Sequence, residues 1–385
     1  MEGKELFDYK NENLMKAINR QGAKYVPTVL ASSCSEIAWT GQKVVDIIYD
    51  KDAYAKGMTD ILKVMWADGN TFSGTLFTPS IENNLEGVQN RFSPDGITPE
   101  HVQQTFMERY EYDELIKDPN RFVSEILLPR KFPRFYTDRE YAKKMMKIVA
   151  EDKAYCLGVL FPAVSKVLRE EYGVTDFVDF SQVFSNPLDT IFDYLRGFKG
   201  SLIDVRSQYD KVKEACAALW EAFNIPSMRP EPPKFPYACH MTHIAPYLPP
   251  QKFTELYWPY EKYWINHQAQ AGSKVWIMLE GTWKPVLELF QELPKDSCIL
   301  HVDDDDIYEV KKLLGDCQII EGGMRQVKVL SYTKDQILDE TKRIIDGCAP
   351  GEGFIFCTDK SWISPRDCNQ NLIDSFNCAH EYSQR

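Results

Sequence analysis

Several patterns that would assign a protein to a common class are missing from this chain of 385 residues. It has no apolar run of about 18 residues, so we expect no membrane-spanning helix. Its 10 cysteines include no Cys-x-x-Cys pair and no dense cluster, which argues against a disulfide scaffold. A net charge of −12 argues against a nucleic-acid surface. The charged amino terminus is unlike a secretory signal, so we expect a cytoplasmic protein.

Two motifs of large enzyme families are missing as well. No Gly-x-Gly-x-x-Gly follows an early strand, so the fingerprint of dinucleotide-binding proteins is absent. No Gly-x-Ser-x-Gly is present, so serine hydrolysis has no support. Cys34 follows the first predicted strand, at residues 26–33, and could be a thiol nucleophile. No activating partner accompanies it, and a structural thiol is therefore the better interpretation.

What the sequence does contain is an alternation of apolar strands and helices in its carboxyl-terminal part. Strands are predicted at 274–280, 298–303, 317–323 and 353–359, and helices at 283–293, 307–314 and 333–347. The last of these helices begins with a capping box formed by Thr333 and Gln336. Strands that alternate with helices indicate a parallel sheet. We predict a closed (β/α)₈ TIM-type barrel, with an open doubly wound sheet as the alternative.

The rest of the chain fits the same plan with additions at its start and in its interior. Residues 1–25 are predicted to form an N-terminal helical extension, and residues 26–385 a single barrel domain. Short segments separated by Pro, Gly and Asn predict a helical insertion over about 83–136, which would pack over the mouth of the barrel. A helix is predicted at 51–66, and a strand is one interpretation of the apolar residues at 158–162.

Polar residues stand at the ends of successive predicted strands. They are Glu280, His301, Glu321 and either Cys357 or Asp359. Neighbouring parallel strands lie roughly 4.8 Å apart, so these side chains could share one rim, where TIM barrels carry their active sites. Zinc accepts imidazole, thiolate and carboxylate ligands, and a catalytic zinc keeps one coordination position open. The spacing leaves two interpretations open, a metal site and a rim of groups that hydrogen-bond to a substrate.

Other residues near this rim are candidates for substrate binding. His240 and His243 fall on opposite faces of a strand, so we expect one buried, hydrogen-bonded histidine and one histidine in a pocket. His240 is held as the substrate-contact candidate. In the acidic run 303–306 we expect only Asp303 inside the rim, because the others suit the amino terminus of the following helix. The aromatic share of 13% suits a pocket for a flat organic ligand.

Several motifs resemble the uroporphyrinogen decarboxylase-like superfamily. They lie at 249–259, 279–283, 292–295, 301–303, 315–316 and 321–323, and further similarity to the branch found in anaerobes lies at 112–119 and 128–130. The resemblance implies a (β/α)₈ barrel and either porphyrin decarboxylation or corrinoid-dependent methyl transfer. The decarboxylases bind the acid groups of their tetrapyrrole with an Arg-Gln-Ala-Gly-Arg segment. Residues 28–37 correspond to that segment and contain no arginine, which argues against porphyrin decarboxylation.

The methyltransferase branch of the superfamily usually binds zinc through His-x-Cys and a distant cysteine. In this chain Met278 stands at the histidine position and Glu280 at the cysteine position. The substitution resembles the methyltransferases of anaerobic O-demethylases, whose ligands include a Glu and a His with the spacing of Glu280 and His301. The upstream Glu of that pattern would fall at Ile265. The third ligand is therefore open, with Cys357 and Glu321 as the candidates.

The resemblance implies a methyltransferase that moves a methyl group from an O-methyl donor, with a methoxylated aromatic favoured, to Co(I) of a separate corrinoid protein. Zinc would polarise the ether oxygen, with Glu280 and His301 as the catalytic residues. Trp39, Phe72 and Trp283 would hold the aromatic ring. Alternatives are a methylamine or methanol as donor, decarboxylation of a small acid, and a non-catalytic module that binds a tetrapyrrole or corrinoid. A homodimer is one option for the assembly.

Overall fold

The computed structural model describes residues 2–31, 33–72, 74 and 78–384, without the side chains of residues 180 and 181. Its strands are β1 (Val29–Leu30), β2 (Gly69–Asn70), β3 (Asn90–Phe92), β4 (Pro99–His101), β5 (Thr175–Asp176), β6 (Val178–Phe184), β7 (Tyr237–Met241), β8 (Val275–Leu279), β9 (Cys298–Val302), β10 (Ile319–Met324) and β11 (Phe354–Thr358).

Helices precede, connect and follow these strands. The α-helices are α1 (Gly3–Ile18), α2 (Val44–Ile47), α3 (Lys51–Thr59), α4 (Pro79–Asn84), α5 (Tyr112–Lys117), α6 (Pro119–Arg121), α7 (Leu128–Lys131), α8 (Pro133–Thr137), α9 (Arg139–Tyr155), α10 (Phe161–Tyr172), α11 (Pro187–Thr190), α12 (Gly197–Ser207), α13 (Tyr209–Leu219), α14 (Ile225–Ser227), α15 (Pro250–Leu256), α16 (Trp258–Gln270), α17 (Ile307–Leu314), α18 (Gln326–Ser331), α19 (Lys334–Cys348) and α20 (Gln370–Tyr382). Tighter 3₁₀ turns occur at Ser35–Thr40, Asp60–Lys63, Arg109–Glu111, Ala245–Tyr247 and Leu287–Glu292, and wider π-type turns at Phe122–Leu127, Cys156–Leu160, Ile191–Arg196 and Trp220–Asn224.

Parallel pairing joins nine of the strands into two sheets. One sheet has the order β11-β10-β9-β8-β7-β6 and the other the order β1-β2-β5. Only Phe177 separates β5 from β6, and its backbone bonds to Asn70 on one side and to Tyr237 on the other. At the opposite edge Thr28 forms a parallel bridge to Phe356. The molecule is an α/β protein with a parallel half-barrel sheet, consistent with a TIM-type fold.

Alternation along the strands separates an inner face from an outer face. On β8, Trp276 belongs to an inner apolar cluster that also contains Ile299 and Ile319, whereas Ile277 packs in the outer cluster with the helices. Successive residues of a strand point to opposite sides, so residues two positions apart share a face. The inner face beyond the isoleucines is therefore available for polar side chains at the carboxyl ends of the strands. Helix α1 contributes Leu14 to the inner cluster.

The segment between α4 and α9 departs from simple alternation. It contains the antiparallel hairpin of β3 and β4 as well as the short helices α5 to α8. A helical insertion was expected over about 83–136, and the hairpin is the part of it that the sequence pattern does not indicate. Among the described residues, no helix combines the length and the apolar character needed to cross a membrane.

Two local expectations differ from the structure. The apolar residues at 158–162 are helical, because they lie in the wide turn Cys156–Leu160 and the start of α10. Pro162 has no N–H to donate to the preceding turn, which favours a wide turn there over a regular one. The helix expected over 283–293 is reduced to the turn Leu287–Glu292. The backbone amides of Trp283 and Lys284 bond to the carboxylate of Asp305 instead.

Candidate functional site

Three of the four metal-ligand candidates meet on the inner face of the sheet. His301 on β9, Glu321 on β10 and Cys357 on β11 each lie two residues beyond an inner-face isoleucine. One ligand atom from each lies within 4.8 Å of the other two. All three are at most 1% exposed. Imidazole, carboxylate and thiol are donor types that zinc accepts. Within the described residues, Glu280 is not part of this group.

Hydrogen bonds fix the orientation of the His301 ring. Its Nε2 lies 3.1 Å from the backbone oxygen of Asp359, and its Nδ1 lies 2.8 Å from Oε1 of Glu321. Since a carbonyl oxygen only accepts, Nε2 carries a proton and Nδ1 faces the carboxylate. Burial lowers the pKa of His301, but the hydrogen bond and charge of Glu321 outweigh burial and raise that pKa. A ring held by a carbonyl at Nε2 presents Nδ1 to a metal, the usual arrangement for histidine ligands.

Trp276 lies between this group and a large cavity. Its indole N–H donates to both carboxylate oxygens of Glu321, at 3.2 and 3.1 Å. The same side chain lines a cavity of about 480 Å³. The hairpin of β3 and β4 contributes Asn90 and Pro99 to the lining. Aromatic side chains form much of the wall, and none of the described lining residues is Arg or Lys. The aromatic lining residues are Phe72, Phe92, Phe184, Tyr194 and Trp276.

The charged groups among the described lining residues are Asp193 and His243. Nδ1 of His243 lies 2.8 Å from Oδ2 of Asp193. Nε2 of the same ring lies 3.7 Å from Oε1 of Glu280, which is too long for a hydrogen bond. Burial lowers the pKa of His243, but the hydrogen bond and charge of Asp193 outweigh burial and raise that pKa to about 9. The ring is therefore cationic at neutral pH and forms an ion pair with Asp193, although burial raises the pKa of that carboxyl against the opposing hydrogen bond and charge of His243.

Glu280 lies beside this pair at the end of β8. About a third of its side chain is exposed, 34%. Burial raises the pKa of Glu280 to about 7, and the charge of His243 only partly opposes this. The charges of Asp189 and Asp303 act in the same direction as burial. Of the two residues proposed as catalytic from the sequence, Glu280 thus neighbours His243, while His301 belongs to the buried group.

His240 lies on the other face of the sheet, in a buried network. Its Nε2 is 3.2 Å from Oδ2 of Asp189, and its Nδ1 is 2.9 Å from Oε1 of Glu261, a close ionic contact without the angle of a hydrogen bond. Tyr257 also donates to Asp189, at 2.6 Å. These groups pack directly behind the cavity wall, where the ring of His240 contacts the ring of Phe184, and His240 does not itself line the cavity. The histidine that reaches the cavity is His243.

The remaining substrate-binding candidates fall in different places. Phe72 lines the cavity. Trp283 is 1% exposed and packs against the rings of Phe253 and Phe290. Trp39 is 38% exposed and does not line the cavity. Asp303 accepts from the backbone N–H of Gly281 at 2.9 Å and pairs with Lys360. Trp283 thus packs among aromatic rings and Asp303 holds the loop after β8, and a part for either in substrate binding stays a prediction.

Two further features agree with their sequence interpretation. Cys34 lines the cavity, but its thiol is buried against the hydroxyl of Tyr54, and burial raises its pKa to about 12, which is the environment of a structural thiol. Asp306 accepts hydrogen bonds from the backbone amides of Tyr308 and Glu309, so the acidic run does cap the next helix, α17.

Asp193 and His243 were not selected from the sequence. The alternation around His240 indicates that the two histidines differ in environment, but it does not say which face is the inner one. Asp193 follows Asp189 by four residues in a helical segment, a spacing that places both carboxylates on one face. That pair, combined with the two histidines, is the signal that could have identified the site.

Part of the chain is similar in sequence to a known family, and the whole chain is similar in fold to a solved structure. Residues 241–373 match the model of the uroporphyrinogen decarboxylase (URO-D) family. No curated protein shows significant sequence similarity to the chain. Among solved structures, a methyltransferase from Methanosarcina mazei matches with a TM-score of 0.56 and 13% sequence identity, covering 97% of this chain and 98% of that chain. The chain thus shares the fold of that methyltransferase and is similar to the uroporphyrinogen decarboxylase family over residues 241–373, which confirms the resemblance to the uroporphyrinogen decarboxylase-like superfamily.

Proposed function

We propose that this protein is a cytoplasmic methyltransferase that takes a methyl group from a methoxylated aromatic compound and passes it to Co(I) of a separate corrinoid protein. The observation that carries the proposal is the cavity of about 480 Å³, with five aromatic side chains and no Arg or Lys among its described lining residues. Flat uncharged rings stack on such walls. A donor with many carboxylates would meet there only the imidazolium of His243 among the described lining residues, and Asp193 already pairs with it.

The reacting atoms must meet at the carboxyl ends of the strands, where TIM-type folds carry their sites. The aromatic walls formed by Phe92, Phe184 and Tyr194 would hold the ring of the donor and orient its methoxy group. The hairpin of β3 and β4 lies over the same cavity and would limit the entry of water. The methyl group has to remain accessible to the cobalt of the partner, so the mouth of the cavity is the proposed docking point for the corrinoid protein.

The proposal includes a zinc ion held by His301, Glu321 and Cys357. The donor set fits zinc in chemistry, since it offers one imidazole nitrogen, one carboxylate and one thiol. When bound, zinc would supply a Lewis acid, behind the Trp276 side chain that separates its ligands from the cavity. Glu280, which the sequence resemblance favoured as a ligand, is assigned to the neighbourhood of His243 in this proposal.

The proposal also covers the architecture. We infer that residues from about 26 onward form one domain, in which the strands close into a complete (β/α)₈ barrel behind the N-terminal helix. Support comes from the bridge between Thr28 and Phe356 and from the bonds of Phe177 to strands on both sides. The closed order that we propose is β1-β2-β5/β6-β7-β8-β9-β10-β11 and back to β1.

The test mixes the purified protein with a reduced Co(I) corrinoid protein from an O-demethylase system and with guaiacol. We expect the absorbance of methyl-cobalt to develop and one catechol to appear for each methyl group transferred. Phe92→Ala should raise KM for guaiacol about tenfold, because it removes part of the ring-binding wall. Phe132→Ala, which alters a half-buried ring of the insertion outside the cavity, is the matched control.

The corrinoid protein must accept a methyl group from its own methyltransferase in a parallel reaction, so that a negative result is informative. If it does so, and this chain yields no methyl-cobalt with any methoxyarene, the proposed function is wrong. Methyl transfer from methanol or a methylamine would keep the class of enzyme and replace the donor. Release of CO₂ from a small carboxylic acid would identify a decarboxylase instead.

A further inference from the structure

His243 presents one ring nitrogen at the cavity. Its Nδ1 is held at 2.8 Å by the carboxylate of Asp193, while its Nε2 faces Oε1 of Glu280 at 3.7 Å, an ionic contact that is too long for a hydrogen bond. A histidine with one nitrogen fixed by a carboxylate and the other directed at a ligand is the arrangement used for general acid–base catalysis. The imidazole is thus oriented and has a proton to donate.

Two aspartates of one helical segment hold this histidine. Asp193 bonds to the ring, while Oδ1 of Asp189 accepts from the backbone N–H groups of His243 and Ile244, at 3.3 and 2.8 Å. Asp189 is itself buried and accepts a hydrogen bond from the hydroxyl of Tyr257. Both the backbone and the side chain of His243 are therefore anchored, although its ring is 35% exposed. Such anchoring is more than an ordinary surface histidine receives.

The proposed reaction consumes a proton. Cleavage of an aryl methyl ether leaves the electron pair of the carbon–oxygen bond on oxygen, and a phenol has a pKa of about 10, like tyrosine. The product at neutral pH is therefore the phenol, which has gained one proton during the reaction. A Lewis acid can stabilise the oxygen, but it does not supply that proton.

We propose that His243 is the general acid of this site, donating its Nε2 proton to the oxygen of the donor as the methyl group leaves. The proposal rests on the proposed methyl transfer. In this step the electron pair of Co(I) forms the cobalt–carbon bond, the carbon–oxygen bond breaks, its electron pair stays on oxygen, and oxygen takes the proton. His243 is left neutral beside Asp193, and water restores its proton. Asp193 and Asp189 are positioning residues.

Several charged groups surround His243 and shape the pH range of the step. Asp193 and Asp189 face it from the segment that begins with α11, Glu280 from the end of β8, and His101 from β4. The three carboxylates favour the imidazolium form, and His101 carries no compensating fixed charge at alkaline pH. We expect the rate to fall on the alkaline side of neutrality as His243 loses its proton.

The kinetic test compares two donors with the wild type and with His243→Gln. Methoxybenzene releases a basic phenoxide, whereas 4-cyanomethoxybenzene releases a more stable one that needs a proton less. We expect His243→Gln to lower kcat by about 100-fold or more with methoxybenzene and by less than about tenfold with the cyano compound, 4-methoxybenzonitrile. His267→Gln, at a half-buried histidine outside the cavity, should match the wild type with both donors. Equal loss with both donors would overturn the proposal.

The role of Asp193 is tested by the pH profile of kcat/KM. Asp193→Asn removes the charge that favours imidazolium, so the alkaline limb of the profile should move to lower pH. At low pH, where His243 is protonated, kcat/KM of Asp193→Asn should be closer to the wild-type value than kcat/KM of His243→Gln is. An unchanged limb would contradict the assignment of Asp193 as a positioning residue.

A binding measurement keeps the inference testable without catalysis. Calorimetry compares phenol with toluene, which has the same shape but no oxygen. Loss of the hydrogen bond in His243→Gln should weaken phenol about tenfold and leave toluene unchanged. Equal binding of phenol to both proteins would overturn the proposal. If the wild type transfers no methyl group from any donor, the proposed function fails, whereas this comparison still decides whether His243 donates to a ligand oxygen.

Discussion

Replacement of His240 by glutamine should destabilise the fold strongly and leave the cavity nearly unchanged. The imidazole lies between the carboxylates of Asp189 and Glu261, and the three side chains are 1%, 2% and 3% exposed. Charges in such a place are tolerated only when they are paired. The variant removes the positive charge and keeps both negative charges. The two carboxylates therefore stay buried, with the same desolvation cost, but without the cation that paired with them.

The contacts set the expected size of this effect. Removing one partner of a buried ion pair costs about 3–5 kcal/mol, because the other charge stays buried and unpaired. Here Asp189 keeps the hydroxyl of Tyr257 at 2.6 Å, and Glu261 keeps the amide of Asn186 at 3.1 Å. We therefore expect the lower end of the range, about 3 kcal/mol in the free energy of unfolding.

The effect should depend on pH in a defined direction. Burial lowers the pKa of His240, but the charge of Glu261 and the hydrogen bond to Asp189 outweigh burial and raise that pKa to about 10. In the unfolded chain a histidine titrates near pH 6.5, at about its ordinary value. Because the folded value is higher, the stabilisation by His240 is complete below about pH 6.5 and is lost as the pH rises to about 10. The deficit of the variant should therefore shrink over that window.

Urea unfolding followed by tryptophan fluorescence and by circular dichroism measures the deficit at several pH values. His267→Gln is the control, because the hydrogen bond described for that half-buried ring is to the backbone oxygen of Arg229, at 2.8 Å, and not to a charged side chain. A free energy of unfolding for His240→Gln within about 0.5 kcal/mol of the wild-type value would refute the reasoning. So would a deficit that grows between pH 6.5 and 10. A tenfold rise in KM at unchanged stability would instead restore His240 as a substrate contact.

Two further predictions concern the buried ligand group and a helix cap. Cys357→Ser should lower the zinc content of protein purified with added zinc, measured by mass spectrometry of the metal. Cys216→Ser, at another buried thiol, should leave the zinc content unchanged. Equal zinc in the two variants would contradict the ligand set. Asp306→Ala should lower the free energy of unfolding by about 1 kcal/mol, because the α17 cap is lost. Asp304→Ala, outside the cap, should lower it by less. Equal losses of stability in the two variants would argue against capping.

Much of the fold follows from local sequence pattern. The strand expected at 298–303 is observed as Cys298–Val302, and the helix expected at 307–314 has those bounds. Both have clear apolar periodicity and, for the helix, a capping residue. The helix expected over 283–293 failed for a non-local reason, because Asp305 binds the backbone amides that would start it. Hydrogen bonds between residues 21 or 22 positions apart cannot be predicted from the local periodicity of apolar residues.

The candidate site was harder to predict because it depends on which face of each strand is inner. Alternation indicates that His301 and Glu321 can share a face once their strands are paired in register, and they do. The same argument left Glu280 as an equal candidate, although it lies farther along β8 and meets His243 instead. Register and the path of the loop after β7 decide such contacts. Neither is encoded in the spacing of the residues alone.

In the proposed reaction, the electrostatics of the cavity link the charge of the donor to the release of the product. With His243 protonated and Asp193 ionised, the pair is neutral, so an uncharged ether enters without leaving an unpaired buried charge. Once the proposed proton transfer has occurred, Asp193 is left negative beside a neutral ring, with no Arg or Lys among the described lining residues to balance it. A phenolate would be repelled there, whereas a neutral phenol can leave. Return of a proton to His243 then restores the neutral pair, so turnover requires reprotonation between successive donors.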